Sequence, residues 1–200
     1  GQNNWRPPNI WYKRPVFYRG NPLSFDGHLA DVKCPNGSSE FDYELELGFV
    51  IGTTGRDIHA KQAMDHVFVF SIFNDLTARD ILRDDVPVIL GPCFSKDFDS
   101  CIAMGPWLVT VDEFSDLSKI KMEAHVNGKP VGSGLLSDAQ HSIADMVSFA
   151  SRGTTVHPGE FMGTGTVGNG SGLERGVFLS RGDEIELTVS GIGTLKNQIV

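Results

Sequence analysis

The stretch that most constrains the fold runs from Asp42 to Val50, where apolar residues alternate with acidic residues and glycine. An alternation with a period of two residues is typical of a β-strand with one buried face. Residues two apart on a strand lie about 7 Å from each other on the same face. Glu44 and Glu46 therefore direct two carboxylates to one place, which would suit a hard divalent cation. The alternative is a solvated acidic face on a surface strand.

The remaining patterns predict a mainly β domain with short helices, an α+β fold whose sheets are mixed or antiparallel. Val67–Phe73 is a continuous apolar run, which is typical of a strand buried on both faces. Asn127-Gly128 predicts a tight hairpin between two strands. We expect helices at 58–66 and 142–151, where apolar residues recur at helical spacing, and a strand at 16–18.

The chain of 200 residues and 21.8 kDa is long enough for one domain with a substantial core. We expect residues 1–200 to form this single domain. Within it, residues 1–36 are rich in proline and aromatic residues and are predicted to form an extended N-terminal arm. Residues 37–200 are predicted to form the core.

The charge of the chain excludes some classes of partner. A net charge of −8 argues against nucleic acid and against an anionic membrane, because both require a basic surface. No apolar run reaches the length of a membrane span, and the N-terminus has no signal-peptide pattern. We therefore expect a small-molecule substrate and a cytoplasmic location, with the mitochondrion as the alternative.

A second group of charged residues follows the apolar run. Asp75 comes directly after the predicted buried strand, where a rigid element can hold a carboxylate in a cleft. With Glu44 and Glu46 it would supply three oxygen ligands, a set that suits Mg²⁺ or Mn²⁺, with Ca²⁺ as another hard cation. Arg79 and Lys96 would then offset the negative charge and orient an anionic substrate. The alternatives are a helix N-cap for Asp75 and surface positions for both cations.

The loop at residues 163–168 matches the pattern G-x-G-x-x-G, but it does not predict a dinucleotide site. No convincing helix follows it, and no βαβ unit surrounds it. Instead, the backbone at Gly165 and the hydroxyl of Thr166 would reach a substrate carboxylate. The alternative is a glycine-rich connection between strands.

Several motifs together resemble the fumarylacetoacetate hydrolase superfamily. They are Tyr43-Glu44-Leu45-Glu46-Leu47, Asn74-Asp75-Leu76-Thr77-Ala78-Arg79-Asp80, Ser95-Lys96-Asp97-Phe98, Thr164-Gly165-Thr166 and Gly182-Asp183-Glu184. Their order and spacing agree with that family over about residues 40–200. The resemblance implies a mixed β-roll or sandwich of the type found in the family's C-terminal catalytic domain, usually as a homodimer.

The resemblance also implies roles for individual residues. Glu44, Glu46 and Asp75 match the residues that bind Mg²⁺ or Mn²⁺. Lys96 matches a residue beside the metal and the substrate, Arg79 matches one that contacts the substrate, and Thr166 matches one that binds the carboxylate or carbonyl group of the substrate. In such a site the metal chelates an oxo acid and stabilises an enolate.

These implications give a leading expectation and two alternatives. We expect a magnesium-dependent hydrolase, an acylpyruvase, that cleaves a C–C bond in an acylpyruvate-like or fumarylacetoacetate-like oxo acid. The first alternative is an oxaloacetate-type decarboxylase or an oxo-acid tautomerase or isomerase that uses the same metal site. The second is a catalytically silent dimeric scaffold or metabolite-binding protein.

The N-terminal segment departs from the family pattern. Family members usually carry a Gly-x-Asn-Tyr segment followed by a lid with a His and a Glu that activate water. Here Gly1-Gln2-Asn3 would begin that segment, but Asn4 replaces the tyrosine and no His precedes His28. One hypothesis is that the lid is missing from the given sequence. The other is a lidless member, in which decarboxylation or tautomerisation would suffer less than hydrolysis.

Overall fold

The computed structural model describes residues 7–200, so the Gly1-Gln2-Asn3 segment and Asn4 lie outside the described residues. The strands are β1 (Phe25–Asp26), β2 (Asp31–Val32), β3 (Phe41–Asp42), β4 (Leu45–Ile51), β5 (Gly55–Arg56), β6 (Val67–Asp75), β7 (Thr77–Ala78), β8 (Ile102–Thr110), β9 (Lys121–Val126), β10 (Lys129–Leu135), β11 (Thr155–Val156), β12 (Phe161–Gly163), β13 (Glu184–Val189) and β14 (Gly193–Ile199). The α-helices are α1 (Arg79–Asp85) and α2 (Ile143–Ala150). Short 3₁₀ helices cover Ala60–His66, Val86–Val88, Cys93–Lys96, Val111–Glu113, Leu117–Lys119 and Leu136–Asp138.

Two five-stranded sheets form the body of the fold, and the predicted mainly β class is confirmed. The first sheet has the order β1-β8-β6-β4-β12, and the second has the order β10-β9-β13-β14-β2. Both sheets are mixed, because β1 runs parallel to β8 and β2 runs parallel to β14. The other pairs in the two sheets are antiparallel. Two short strands from the N-terminal arm therefore become edge strands of the sheets.

The core lies between the two sheets. The inward row of β4, which is Leu45, Leu47 and Phe49, is fully buried, and the facing β13 buries Ile185 and Leu187. The alternation predicted for β4 is therefore confirmed for its apolar face. Burying such side chains provides the main stabilisation of a domain of this size.

The polar face of β4 is also buried, which rules out a solvated acidic surface. The ring of Phe161, from β12, lies across Gly48 and packs edge-on against Phe73 with the ring centroids 5.2 Å apart. Phe25, from β1, packs edge-on against the same Phe161 ring at 5.5 Å. Glu46, on this face, is only 4% exposed. The carboxylate therefore lies beside an aromatic cluster rather than in bulk water.

The predictions of individual turns, helices and strands are confirmed in some places and wrong in others. The Asn127-Gly128 hairpin forms between β9 and β10, and α2 begins after Ser142, whose side chain forms a capping box with Asp145. The strand predicted at 16–18 is wrong, because that segment has no strand pairing. Helix α1 was not predicted; its N-cap residue, Ala78, makes no side-chain capping bond that would mark its start.

The N-terminal arm packs along helix α2. Nε2 of His141 is 2.7 Å from the carbonyl oxygen of Trp11, and the two rings also contact each other edge-on. Phe17 packs edge-on against Phe149 of α2 at 6.1 Å, and the guanidinium of Arg14 lies 5.0 Å from the centre of the Phe149 ring. These contacts fix the path of the chain just before Tyr18. No helix in residues 7–200 has the length and apolar character needed to cross a membrane.

Replacing Gly48 by alanine should destabilise the fold, because the added methyl group would collide with the Phe161 ring. Overpacking of this kind costs about 1–3 kcal/mol. Urea unfolding followed by tryptophan fluorescence would measure the loss. Gly27→Ala is the matched control, because a methyl group there meets nothing within 4 Å, and it should change stability by less than about 0.5 kcal/mol. Equal unfolding midpoints for the two variants would contradict the argument.

Candidate metal centre

Two neighbouring strands bring three carboxylates together. Glu46 lies in β4, Glu44 directly precedes β4, and Asp75 ends β6, the antiparallel neighbour of β4. The amide of Asp75 donates a hydrogen bond to the carbonyl of Glu44 at 3.2 Å. One carboxylate oxygen from each residue lies within 4.8 Å of the others. The three predicted ligands therefore form one cluster, and metal binding by it stays a prediction.

Lys96 lies inside this cluster. Its Nζ is 2.8 Å from Oε2 of Glu44, 2.7 Å from Oδ2 of Asp75 and 3.2 Å from the backbone carbonyl of Asp75. The residue ends the short 3₁₀ helix Cys93–Lys96 and is buried. A surface position for this cation is therefore ruled out. A buried ammonium keeps its charge only with such partners.

Arg79 is also buried, and it bridges two carboxylates. As the first residue of α1, it places its Nε 2.8 Å from Oδ2 of Asp42 and its Nη2 2.6 Å from Oε1 of Glu44. The family resemblance implies that Arg79 contacts substrate. In the structure its guanidinium makes ion pairs with Asp42 and Glu44, and contact with a substrate stays a prediction.

The sequence analysis did not single out Tyr18 as a site residue. The Tyr18 hydroxyl donates to both oxygens of Asp75, at 2.7 and 2.8 Å, and the Nζ of Lys96 lies 5.8 Å from the centre of the tyrosine ring. Tyr18 is 57 residues away from Asp75 in the chain. No local pattern marks it, because its position follows from how the arm packs on α2.

Asn74 is a second residue that the sequence analysis left without a role. Its Oδ1 accepts a hydrogen bond from the amide of Glu44 at 3.0 Å. Asn74 is fully buried in β6, and its Nδ2 has no hydrogen-bond partner among the residues that the structure describes. The side chain thus fixes the backbone from which Glu44 extends.

The glycine-rich loop runs beside β4. The amide of Gly165 donates to Oε2 of Glu46 at 2.9 Å, and the amides of Thr164 and Val167 donate to the carbonyls of Leu47 and Leu45. Gly165 has φ +82°, in the region that favours glycine. Thr166 lies between these anchored residues and is half-buried. The loop therefore brings both predicted substrate contacts, Gly165 and Thr166, to the Glu46 side of the cluster.

The carboxylates differ in acidity because the cations lie on one side. Burial raises the pKa of Glu44, but Lys96 and Arg79 overcome that effect and lower the pKa to about 2. Burial raises the pKa of Asp75 to about 6, with Lys96 opposing the rise and the charge of Glu44 adding to it. Burial, followed by the charges of Asp75 and Glu44, raises the pKa of Glu46 well above its ordinary value. Of the three carboxylates, Glu46 is thus the one whose negative charge is least offset by nearby cations.

The charges of this region fit a divalent cation. Within residues 7–200, the four mostly buried carboxylates of Asp42, Glu44, Glu46 and Asp75 face two buried cations, Arg79 and Lys96. Two negative charges therefore remain without compensation, and all three cluster donors are hard oxygen atoms. Such a donor set suits Mg²⁺, Mn²⁺ or Ca²⁺. Glu44, Glu46 and Asp75 are the residues that would hold the ion.

Comparison with known proteins agrees with this arrangement. The family model described as fumarylacetoacetate (FAA) hydrolase C-terminal matches residues 2–200. The chain belongs to the fumarylacetoacetate hydrolase family. This confirms the resemblance identified from the sequence motifs.

Three relatives illustrate the range of this family. The oxaloacetate tautomerase YisK of Bacillus subtilis is 38% identical over 189 residues, which cover 94% of this chain and 62% of YisK. The human mitochondrial oxaloacetate tautomerase FAHD2A is 35% identical over 191 residues, which cover 94% of this chain and 60% of that protein. The solved structure of a fumarylacetoacetate hydrolase from Exiguobacterium antarcticum matches with a TM-score of 0.85 and 35% identity, covering 92% of this chain and 65% of that one. The chain thus spans about three fifths of the length of the two curated relatives.

Replacing Glu46 by glutamine should weaken metal binding without unfolding the protein. The neutral amide keeps the shape of the side chain but removes one ligand charge. It also removes the burial cost and the repulsion by Asp75 and Glu44 that raise the pKa of Glu46. Because loss of a mere supporting partner costs about 10–100-fold in metal affinity, loss of this ligand should cost at least about 100-fold. Mn²⁺ titration followed by electron paramagnetic resonance would measure the affinity.

The metal-free melting temperature of Glu46→Gln should equal or exceed that of the wild type, whereas added Mn²⁺ should stabilise only the wild type. The exposed Glu113 provides a matched control, Glu113→Gln, which should behave as wild type in both measurements. Unchanged Mn²⁺ affinity in Glu46→Gln would refute the site.

Proposed function

We propose that the protein is a divalent-metal-dependent tautomerase that interconverts the keto and enol forms of an oxo acid of the oxaloacetate type. The observation that carries this proposal is the buried Glu44–Glu46–Asp75 cluster with Lys96 inside it. The names of YisK and FAHD2A favour tautomerisation among the reactions that the family resemblance implies. It was an alternative in the sequence analysis, where hydrolysis was the leading expectation.

The chemistry requires a stabilised enolate and a group that moves a proton. A divalent ion, when bound, supplies Lewis-acid stabilisation of the enolate oxygen. Lys96 and Tyr18 both hold a proton at the cluster. Burial and then the charge of Asp75 raise the pKa of the Tyr18 phenol. Burial lowers the pKa of Lys96, but Glu44 and Asp75 outweigh that effect and raise it.

The two proton-bearing groups are therefore placed to act as acids toward an enolate bound beside Asp75. Lys96 also neutralises part of the negative shell and attracts an anionic substrate. The hydroxyl of Thr166 and the backbone of the glycine-rich loop, which Gly165 ties to Glu46, would hold the carboxylate of the substrate. This scheme assigns no substrate contact to Arg79, because its Nε and Nη2 pair with Asp42 and Glu44.

Hydrolysis of a C–C bond in an acylpyruvate is the second candidate. The observation that favours it is the similarity to the Exiguobacterium antarcticum fumarylacetoacetate hydrolase, at 35% identity and a TM-score of 0.85. Hydrolysis uses the same stabilised enolate but also requires an activated water molecule. Oxaloacetate decarboxylation would use the enolate as well and would release CO₂.

Oxaloacetate and acetylpyruvate distinguish these reactions. We expect the Mg²⁺-loaded protein to accelerate loss of the enol absorbance of oxaloacetate, with the keto form captured by malate dehydrogenase and NADH. Removing the metal with a chelator should abolish the acceleration. Cleavage of acetylpyruvate to acetate and pyruvate would favour the hydrolase, CO₂ release would favour the decarboxylase, and inactivity on both substrates would favour a silent scaffold.

Lys96→Met tests the assigned proton donor within the same assay. The variant should lose about 100-fold or more in kcat, which is the usual contribution of a positioned acid or base. Its Mn²⁺ affinity should stay the same or increase, because a positive charge next to the ion is removed. Lys61→Met, at an exposed position, is the matched control. Equal losses of metal affinity and kcat in Lys96→Met would contradict a role in proton transfer.

We further propose that two copies associate, as the family resemblance implies. Phe68 of β6 and Leu108 of β8 are 57% and 58% exposed, and with Val50 and Pro158 they line an open cleft of about 550 Å³. An apolar surface of this kind on a folded domain is typical of a protein interface. A second copy of the chain is the partner that we expect to cover it.

Sedimentation velocity should give about twice the chain mass of 21.8 kDa for the wild type. Replacing both Phe68 and Leu108 by serine should shift the protein to the monomer, because the association then loses its apolar contacts. Ile89 is 89% exposed and lies outside β6 and β8, so the Ile89→Ser variant should remain dimeric. A monomeric wild type, or a dimeric double variant, would contradict this interface.

A further inference from the structure

Asp42 is a fully buried carboxylate that is not a member of the three-carboxylate cluster. It ends β3, and its oxygens accept three hydrogen bonds from two different parts of the chain. One comes from Nε of Arg79 at 2.8 Å, and the others come from the amides of Gly172 at 2.7 Å and Leu173 at 3.0 Å. A buried carboxylate with this many donors is held in one orientation.

The first contact leads to the metal ligand Glu44. Arg79 places Nε on Asp42 and Nη2 on Glu44, so its rigid guanidinium spans the two carboxylates. Without Asp42, the guanidinium would have only Glu44 as an acidic partner and would be free to turn toward the cluster. The orientation of Oε1 of Glu44 therefore depends on a residue outside the three-carboxylate cluster.

The other two contacts lead to the glycine-rich loop. Gly165, near the start of the loop, donates to Glu46, whereas Gly172, four residues after the loop, donates to Asp42. A side chain at position 172 would collide with Asp42 and with the carbonyl of Val177, so the backbone approaches the carboxylate closely. Thr166 lies between these two attachment points. The position of the loop is thus set partly by the same carboxylate that holds Arg79.

We propose that Asp42 is a positioning residue that holds the metal ligand Glu44 through Arg79 and the Thr166 loop through the amides of Gly172 and Leu173. Arg79 is then a positioning residue as well, rather than a substrate contact. This inference rests on the metal site of the proposed function and deepens it. It predicts that two buried side chains control metal affinity without being ligands.

Asp42→Asn tests the inference because an amide cannot replace the carboxylate on all of its donors. Oδ2 accepts from Arg79 and Leu173, and Oδ1 accepts from Gly172. The new amide N–H groups would therefore face either the first two donors or the amide of Gly172. We expect Mn²⁺ affinity, measured without substrate by electron paramagnetic resonance, to fall about 10–100-fold. The KM for oxaloacetate at saturating Mn²⁺ should also rise, because the loop loses its attachment.

Arg79→Lys breaks the connection from Asp42 to Glu44 but leaves the connection from Asp42 to the amides of Gly172 and Leu173. Lysine keeps the positive charge but cannot bridge both carboxylates, so Mn²⁺ affinity should fall to a similar extent while KM at saturating Mn²⁺ stays unchanged. Because both substitutions break the same path to Glu44, the double variant should bind Mn²⁺ only about as weakly as the weaker single variant. If Asp42→Asn does not fold, Arg79→Lys carries the test of this path alone.

Asp80→Asn is the matched control for general destabilisation. Asp80 accepts hydrogen bonds from Ser38 and Ser39. It makes no hydrogen bond with Glu44, Glu46 or Asp75. It should keep wild-type Mn²⁺ affinity and KM even where its melting temperature falls as far as that of Asp42→Asn.

Wild-type Mn²⁺ affinity in both Asp42→Asn and Arg79→Lys would overturn the inference while leaving the proposed function intact. An increase of KM at saturating Mn²⁺ in Arg79→Lys, with metal affinity unchanged, would overturn it in favour of a substrate contact. Reduced Mn²⁺ affinity in both variants of a protein that does not turn over oxaloacetate would support the inference and refute the proposed reaction.

Discussion

The structure depends on compensation of negative charge inside the protein. Asp42, Glu44, Glu46 and Asp75 lie within one region that is mostly closed to water. Bringing carboxylates out of water costs several kcal/mol each unless cations or N–H donors replace the solvent. Arg79, Lys96 and the loop amides provide part of that replacement, and the uncompensated remainder lies at Glu46 and Asp75, whose pKa values are both raised. A divalent cation bound there would gain more free energy than it would at a solvated acidic surface.

The two buried cations serve this compensation in different ways. A guanidinium is planar and presents its donors in a fixed fork, which suits the bridge between Asp42 and Glu44. An ammonium is a compact charge on a flexible stem, which suits the position of Lys96 between Glu44 and Asp75, where a substrate or ion has to be accommodated. Arg79 and Lys96 carry the same formal charge, but the guanidinium of Arg79 holds its partners rigidly and the ammonium of Lys96 can adjust its position. Exchanging the two residue types would preserve the net charge and lose both functions.

The sequence predicts the parts of the site that depend on local patterns. The alternation around Glu44 and Glu46 and the apolar run before Asp75 place three carboxylates on two strands, and their pairing brings them together. Tyr18 could not be found in this way, because its contact with Asp75 spans 57 residues and depends on the packing of the arm. The positioning role proposed for Asp42 could not be predicted from the sequence either. On the strand pattern it is simply another polar residue on the same face as Glu44, and only the folded loop supplies its amide donors.

The motif that contains Arg79 does not by itself predict the ion pairs that Arg79 makes with Asp42 and Glu44. A motif fixes which residue occupies the first turn of α1, but the direction of a long side chain depends on the nearest buried charges. Here those charges are Glu44, at 2.6 Å from Nη2, and Asp42, at 2.8 Å from Nε, and together they hold the guanidinium. A substrate would have to replace an ion pair that is shielded from water and therefore strong. In the proposed site, substrate recognition would therefore fall to other groups, among them Thr166. The aromatic cluster of Phe25, Phe73 and Phe161 lies on the face beside Glu46.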